Sequence, residues 1–406
     1  MQGLQKLDSG FYGNPHLGVK PFKCLKTLWF EDLPAWTYWE PFPNKNEEFP
    51  SLQELQIRSC PELVESLPKH LNSLTKLVVS GCRKLQASDQ RVPILKEMKL
   101  HGLVALTTLP KKLLAGNSCF QQLEIVNCPA LISFPGGDSL TTLKSLSISH
   151  CRILNFFLHR NVMHQFGVLE RLHIANSCDS LESLQLGLFT KLQYLHIEDC
   201  RNLKSLSIKD AVLTFLQEME IKDCPNLKSL PKSRLHTCLP YLQKLEISNC
   251  PELSQFSQGS LPLNLQSLII SNCNNLTPQK EWGLHGMASL TCFEIEGGCS
   301  NVESFPEEGL LPKTLTSLRI SRLSNLKFLD GGFEDLTSLE TLEIHNCEKL
   351  EWMPAKGLPT NLTSLFVTEC SLLGPHCQEG GVERPRISHI ADIYIFPIPN
   401  NVNEQH

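Results

Sequence analysis

The chain has 406 residues, of which 41% are hydrophobic and 19% are charged, and its formal net charge is -5. This composition excludes a disordered protein, and the small negative charge offers no basic footprint for nucleic acid or for an acidic membrane surface. The first residues have neither the basic nor the apolar part of a secretory signal, and no stretch reaches the roughly 18 apolar residues of a membrane span. We therefore expect a cytoplasmic or nuclear protein without a membrane span and without a nucleic-acid partner.

One motif recurs along almost the whole chain. The segment LQELQIRSCPEL at Leu52 returns as LQYLHIEDCRNL at Leu192 and as LQKLEISNCPEL at Leu242, which defines the unit LxxLxIxxCxxL. The copies follow one another at spacings of 21 to 27 residues, and a short regular period of this kind indicates a solenoid. Fifteen copies begin at Leu25, Leu52, Leu74, Leu95, Phe120, Leu143, Leu169, Leu192, Leu216, Leu242, Leu265, Leu290, Leu315, Leu339 and Leu362.

Each copy predicts one short strand. The xLxIx part alternates, so its two apolar side chains point inward and its x residues point outward. A single strand cannot bury its own apolar face, but parallel stacking of the copies buries all of them. Leu-Pro dipeptides such as Leu67-Pro68 and Leu230-Pro231 follow the strands, and proline has no N–H for a ladder, so the return path should be irregular. The sequence predicts an α/β repeat solenoid, a leucine-rich-repeat horseshoe with a parallel concave sheet and a mostly irregular convex side.

Three segments are expected in chain order. Residues 1–24 should form an N-terminal lead-in or cap, residues 25–373 the fifteen leucine-rich repeats, and residues 374–406 a C-terminal cap and tail. Trp36 and Trp39 should pack against the first repeats.

The seventeen cysteines are explained by the repeat. Twelve of them fall at the cysteine slot, at Cys60, Cys82, Cys128, Cys151, Cys178, Cys200, Cys224, Cys250, Cys273, Cys299, Cys347 and Cys370, with Cys178 and Cys299 each displaced by one inserted residue. A small, weakly polar thiol suits a turn that must pack and meet backbone groups. The chain contains no CxxC pair, so we predict structural, reduced thiols and no zinc site among them.

The repeats resemble those of a known family. Cys-Pro follows the strand at Cys60-Pro61 and Cys128-Pro129, and the block around Phe11-Tyr12, Trp36 and Trp39 is similar to the one that precedes the repeats in plant nucleotide-binding leucine-rich-repeat immune receptors. The coiled-coil, downy-mildew-resistance-like class is the nearest. The resemblance implies a sensor that binds a pathogen effector or a modified host protein, in defence, and works with an upstream nucleotide-binding domain. This chain has no Gly-Lys dipeptide, hence no phosphate-binding P-loop, and no cofactor is predicted.

A binding protein is favoured over an enzyme. The chain has no GxSxG, HExxH or DxDxDG motif, so no catalytic, cofactor-binding or metal-binding residues are predicted. The alternative function is that of a substrate-recognition repeat domain in an F-box ubiquitin ligase, whose repeats also carry cysteine. The Leu-Pro second half of the repeat and the short lead-in favour the immune-receptor reading.

Four successive predicted strands form the best candidate surface for a protein ligand. They combine aromatic, imidazole and mixed charged side chains, and Tyr and Arg are common interface anchors. Trp29 and Phe366, nearer the ends of the array, are rival positions. The outward residues of the four strands are Arg171, His173, Tyr194, His196, Glu198, Glu218, Glu220, Lys222, Lys244 and Glu246.

Overall fold

The computed structural model describes residues 3–12, 22–40, 49–64, 67–68, 71–85, 91–109, 111–114, 116–134, 140–155, 166–208, 211–231, 235–254, 256, 261–329 and 332–396. Residues 13–21 of the predicted lead-in and residues 397–406 of the predicted tail lie outside this part. The chain divides into two compact units, Met1–Leu203 and Lys204–His406.

The first unit is built on eight parallel strands of five residues each. Consecutive repeats are neighbours in this sheet, and their apolar residues stack in register, as in Leu55 with Leu77 and Leu172 with Leu195. The strands of the unit are β1 (Lys6–Leu7), β2 (Thr27–Glu31), β3 (Tyr38–Trp39), β4 (Glu54–Arg58), β5 (Lys76–Ser80), β6 (Glu97–His101), β7 (Gln122–Val126), β8 (Ser145–Ser149), β9 (Arg171–Ala175), β10 (Ser183–Gln185) and β11 (Tyr194–Glu198). Within the described residues of this unit, the remaining elements are one short helix, α1 (Lys111–Leu114), and 3₁₀ turns at Ser9–Tyr12 and Leu186–Leu188.

The second unit repeats this architecture with eight further parallel five-residue strands, β13 to β20. Its strands are β12 (Ser205–Ser207), β13 (Glu218–Lys222), β14 (Lys244–Ser248), β15 (Ser267–Ser271), β16 (Cys292–Glu296), β17 (Ser317–Ser321), β18 (Thr341–His345), β19 (Ser364–Thr368) and β20 (Asp392–Phe396). Its helices are α2 (Leu235–Cys238), α3 (Leu373–Cys377) and α4 (Arg384–Ile387), with 3₁₀ turns at Lys280–Trp282, Leu284–Gly286 and Phe333–Asp335. No helix in the described part of the chain is longer than five residues.

The predicted repeat solenoid is confirmed in both units. Every one of the fifteen xLxIx segments is a strand, beginning two residues after the marker residue of its repeat. The alternation of apolar and polar residues determines which side chains are buried. In β11, Leu195 and Ile197 are each 1% exposed. Tyr194 and His196, which alternate with them, are half-buried on the outer side of the strand. The outward side chains of the strands form a surface that we call the strand face. The structure adds β20, a further parallel strand within the predicted C-terminal cap.

A left-handed residue ends every repeat strand. The residue before the cysteine slot has positive φ in all fifteen repeats, from 45° at Asp199 to 67° at Gly81, and eleven of these residues are Asn, Asp or Gly. These three residue types tolerate the left-handed region best. The turn lets the backbone N–H reach the next repeat, as Asn127 does in donating to the carbonyl of Ser149 at 2.8 Å.

The cysteine slot lies inside this turn. All twelve predicted slot cysteines are at most 4% exposed, and a thiol in the slot donates to the carbonyl two residues earlier, at 3.2 Å in Cys60. The displaced Cys178 is buried beside the slot, which Ser177 fills by donating to the carbonyl of Ala175 at 2.7 Å. Burial raises the pKa of the Cys200 thiol to about 12. The Cys200 thiol is therefore a protonated packing group at neutral pH.

Aromatic side chains close the start of the first unit. Trp36 is fully buried and Trp39 is 3% exposed, and the Trp39 indole donates to the Tyr12 hydroxyl at 2.8 Å. That hydroxyl in turn donates to the carbonyl of Glu40 at 2.9 Å. The two tryptophans therefore pack against the first repeats, as the sequence predicts.

Candidate protein-binding surface

The first unit carries half of the predicted surface residues, on β9 and β11. Lateral pairing places Tyr194 beside Arg171, His196 beside His173 and Glu198 beside Ala175. The Arg171 guanidinium carbon lies 5.1 Å from the centroid of the Tyr194 ring, which is a cation–π contact. The structure thus holds the two predicted anchor residues against each other.

The two histidines of this half are also in contact. Their rings meet edge to face with centroids 4.6 Å apart. Nδ1 of His173 lies 3.2 Å from the Ser147 hydroxyl on β8, whereas its Nε2 is buried and makes no hydrogen bond. Nε2 of His196 lies 3.2 Å from a carboxylate oxygen of Glu198. Burial, with a smaller contribution from His196, lowers the pKa of His173, so this imidazole is neutral at neutral pH.

These three residues have the donor set of a metal site. His173, His196 and Glu198 each offer one ligand atom, and the three atoms lie within 4.8 Å of one another. Two imidazoles and a carboxylate are common ligands of zinc and related ions. The sequence predicts no metal-binding residues, because it contains neither paired cysteines nor a known metal-binding motif. The signal that could have found the cluster is a histidine at the same register position of two consecutive repeats.

The second unit carries the other predicted residues, on β13 and β14. Here Lys222 lies 2.5 Å from Glu246 and 3.6 Å from Glu220, and Lys244 lies 2.5 Å from Glu220 and 3.0 Å from Glu246. The four side chains form a closed square of ion pairs, which we call the charge square. Glu218 pairs with Lys244 in the strand register.

The charge square shifts the pKa values of three of its members, Glu246, Lys222 and Lys244. Burial by itself would raise the pKa of Glu246, but hydrogen bonds from Lys222 and Lys244 outweigh it and lower that pKa. Burial would likewise lower the pKa values of the two lysines, and their carboxylate partners raise them instead. Glu246, Lys222 and Lys244 therefore stay ionised at neutral pH.

Further contacts on the strand face were not predicted from the sequence. In the first unit, Glu124 on β7 lies 2.9 Å from Lys99 and 3.0 Å from His101. In the second unit, Phe366 stacks on Tyr394 of β20 with ring centroids 4.7 Å apart. The strand period of the repeats could have identified Lys99, His101 and Glu124 as outward residues. Tyr394 could not be found in this way, because it follows the last copy of the motif. Trp29, the rival position on β2, is 63% exposed.

Within the described ranges, no helix combines the length and the apolar character that a membrane crossing needs.

Comparison with known proteins gives consistent matches. Residues 133–251 match the family model described as plant disease resistance protein RPS2-like, leucine-rich repeats. Over 305 residues the chain is 39% identical to the disease resistance protein At3g14460 of Arabidopsis thaliana, covering 69% of this chain and 21% of that protein. Over 180 residues it is 30% identical to the disease resistance RPP13-like protein 1 of the same plant, covering 41% of this chain and 17% of that protein.

A solved structure shows the same fold. The leucine-rich-repeat protein LIC12759 of Leptospira interrogans matches with a TM-score of 0.53 at 18% identity, covering 89% of this chain and 95% of that chain. At this identity the likeness concerns the fold alone.

Fold and repeat sequence together define a leucine-rich-repeat protein. The leucine-rich-repeat fold is a fold for protein interaction. Its repeats are of the plant type: the chain is a leucine-rich-repeat region of a plant disease resistance protein. It spans about a fifth of the length of the curated relatives that it matches.

Proposed function

We propose that the chain is the sensor region of a cytoplasmic plant immune receptor. In this role it binds a pathogen effector, or a host protein that an effector has modified, through the strand face. Binding rather than catalysis is its activity. The observation that carries the proposal is the contact of Arg171 with Tyr194 in repeats whose relatives are named disease resistance proteins.

The physical case rests first on the two anchors. Arg and Tyr dominate the binding energy of many interfaces because they offer large contact areas together with hydrogen-bonding groups. The guanidinium lies over the Tyr194 ring, so part of the conformational entropy that binding would cost is already lost in the free protein. An anchor that is ordered before the partner arrives binds more tightly than a free one.

The charge square supports the specificity of recognition. Its four charges neutralise one another through contacts of 2.5 to 3.6 Å, so it adds little long-range attraction. A partner that covers it must match two carboxylates and two ammonium groups at fixed positions. Such matching excludes wrong partners more than it raises affinity.

The curated relatives bear on the competing hypotheses. All three that match are named disease resistance proteins, which favours the immune-receptor function over the F-box alternative. Because the chain spans only about a fifth of their length, we propose a nucleotide-binding domain of the native protein as its second partner.

A cell-death assay tests the proposed function. The native full-length gene is expressed in leaf tissue together with single effectors from a panel, and we expect one of them to trigger cell death. The double variant Arg171→Ala with Tyr194→Ala should lose this response at equal protein level. The matched control, Arg201→Ala with Tyr241→Ala, changes the same residue types at exposed positions off the strand face and should keep it. Equal responses from both double variants would contradict the proposed binding surface.

A further inference from the structure

We propose that His173, His196 and Glu198 bind a divalent metal ion of the zinc class on the strand face of the first unit. The proposal goes beyond sensing of a protein, because the site is complete within one unit and needs no partner.

The donor atoms are already gathered. One ligand atom from each of the three residues lies within 4.8 Å of the other two. The ligand atoms around a bound zinc ion, each about 2 Å from the metal, are separated by a little over 3 Å. Closing that difference needs only small rotations of side chains that stand on paired strands. Parallel pairing of His173 with His196 fixes the spacing of their backbones, so the rotations involve χ angles alone.

One donor lacks a protein partner. Nε2 of His173 is buried and makes no hydrogen bond, and buried polar atoms in native proteins are nearly always satisfied. A metal ion at this point would satisfy it. Among the described residues this is the one group of three metal-ligating side chains that lie close enough together.

The neighbouring residues prepare His173 as a ligand. The Ser147 hydroxyl lies 3.2 Å from its Nδ1, and a hydroxyl that accepts the Nδ1 proton leaves the Nε2 lone pair free for a metal. Residues that bond the second nitrogen in this way orient most metal-binding histidines. Ser147 is thus a positioning residue for the site.

The ligand chemistry selects the ion and its coordination. Imidazole nitrogens suit zinc, nickel and copper, whereas calcium and magnesium prefer oxygen ligands. Three protein ligands leave a fourth position open for water or for a donor from another molecule. The strand face of the second unit offers a natural comparison, because His345 lies 3.0 Å from the Glu343 carboxylate without forming such a group of three.

Calorimetry on the chain tests the proposal. Zinc chloride is titrated into protein stripped of metal and kept reduced with a phosphine that does not bind zinc. We expect one strong site per chain. Single substitutions His173→Ala, His196→Ala and Glu198→Gln should each weaken it by at least about tenfold, and Ser147→Ala by a smaller factor. His345→Ala should leave it unchanged. Absence of a strong site, or an unchanged site in the His173→Ala and His196→Ala variants, would overturn the proposal.

Cobalt substitution separates this site from the thiols and from misfolding. Cobalt(II) bound by nitrogen and oxygen donors gives visible d–d bands, and thiolate ligands add intense charge transfer in the near ultraviolet. We expect the d–d bands without charge transfer, and their loss in His196→Gln, whose unfolding temperature without metal should equal that of the parent. Charge transfer at one equivalent of cobalt would place the ion on the cysteines and contradict the proposal. Because no partner is present, failure here leaves the proposed sensor function untouched.

Discussion

At the scale of single residues, neighbours on one strand have opposite surroundings. Leu195 is 1% exposed inside the solenoid, while Tyr194 beside it reaches the strand face. The cause is the two-residue period of a strand, which turns successive side chains to opposite sides. A charged side chain is therefore hydrated at position 194 and buried without a partner at position 195.

This contrast gives the first prediction. Leu195→Asp places a carboxylate among packed leucines without a partner, and we expect it to lower the free energy of unfolding by at least about 3 kcal/mol. Tyr194→Asp, on the same strand, should lower it by no more than about 1 kcal/mol. Both are measured by denaturant unfolding, and equal losses would contradict the register of β11.

The left-handed turns give a second prediction at this scale. Gly298 has φ of +73°, and a Cβ there would lie 2.6 Å from the backbone nitrogen of Cys273. Gly309 has φ of +70° with nothing within 4 Å of the same added atom. Both alanine variants pay about 1–2 kcal/mol for the left-handed backbone, so the difference between them isolates the clash.

We expect Gly298→Ala to be the less stable of the two by at least about 1 kcal/mol, since overpacking against backbone cannot relax easily. Thermal unfolding of the two variants side by side measures the difference. Equal stability would mean that the turn after β16 is looser than the structure shows.

At the scale of elements, the sequence predicts the repeat strands to the residue. In LxxLxIxxCxxL the inward Leu and Ile determine which face of each strand is buried, and the turn at the cysteine slot determines where the strand ends. The bounds of β13 can therefore be counted from Leu216, the marker residue of its repeat. The motif carries no information on β20, where Asp392–Phe396 has the alternation but no slot residue after it. The short strand β10 was missed because it belongs to the irregular return path.

The candidate site was predictable in part for a related reason. Outward positions follow from the strand period, so Arg171 and Glu246 could be placed on the strand face from sequence. Which outward side chains touch depends on rotamers and on neighbours one repeat away. The contact of Arg171 with Tyr194, the buried Nε2 of His173 and the closure of the charge square are findings of this kind.

The charge square carries a prediction on pH. The folded-state pKa of Glu246 is lowered, so its contribution to stability is fully present above the unfolded carboxyl pKa of about 4.3 and is lost as the pH falls through the lower folded value. We expect Glu246→Gln to reduce the free energy of unfolding at pH 7 by about 1 kcal/mol. The difference between parent and variant should shrink towards zero in strong acid and in high salt. A difference that grows on acidification would contradict the assignment.

At the scale of the whole molecule, each unit is a stack in which a strand pairs with its sequence neighbours. Stability in such arrays is close to a sum of terms from single repeats and from their nearest-neighbour interfaces. The outward residues contribute little to these terms, so the strand face can vary while the inward ladder is kept. This separation lets one scaffold present different binding surfaces, and it lets the surface be tested without disturbing the fold.

The central claim is that the strand face of β9 and β11 binds the protein partner. Its most direct test is the affinity, by calorimetry, of this chain for the effector that the cell-death screen identifies. Arg171→Ala and Tyr194→Ala should each weaken binding by at least about tenfold, as expected for interface anchors, while Tyr241→Ala should bind like the parent and all three should unfold at the same temperature. Parent-like affinity in both strand-face variants would contradict the claim.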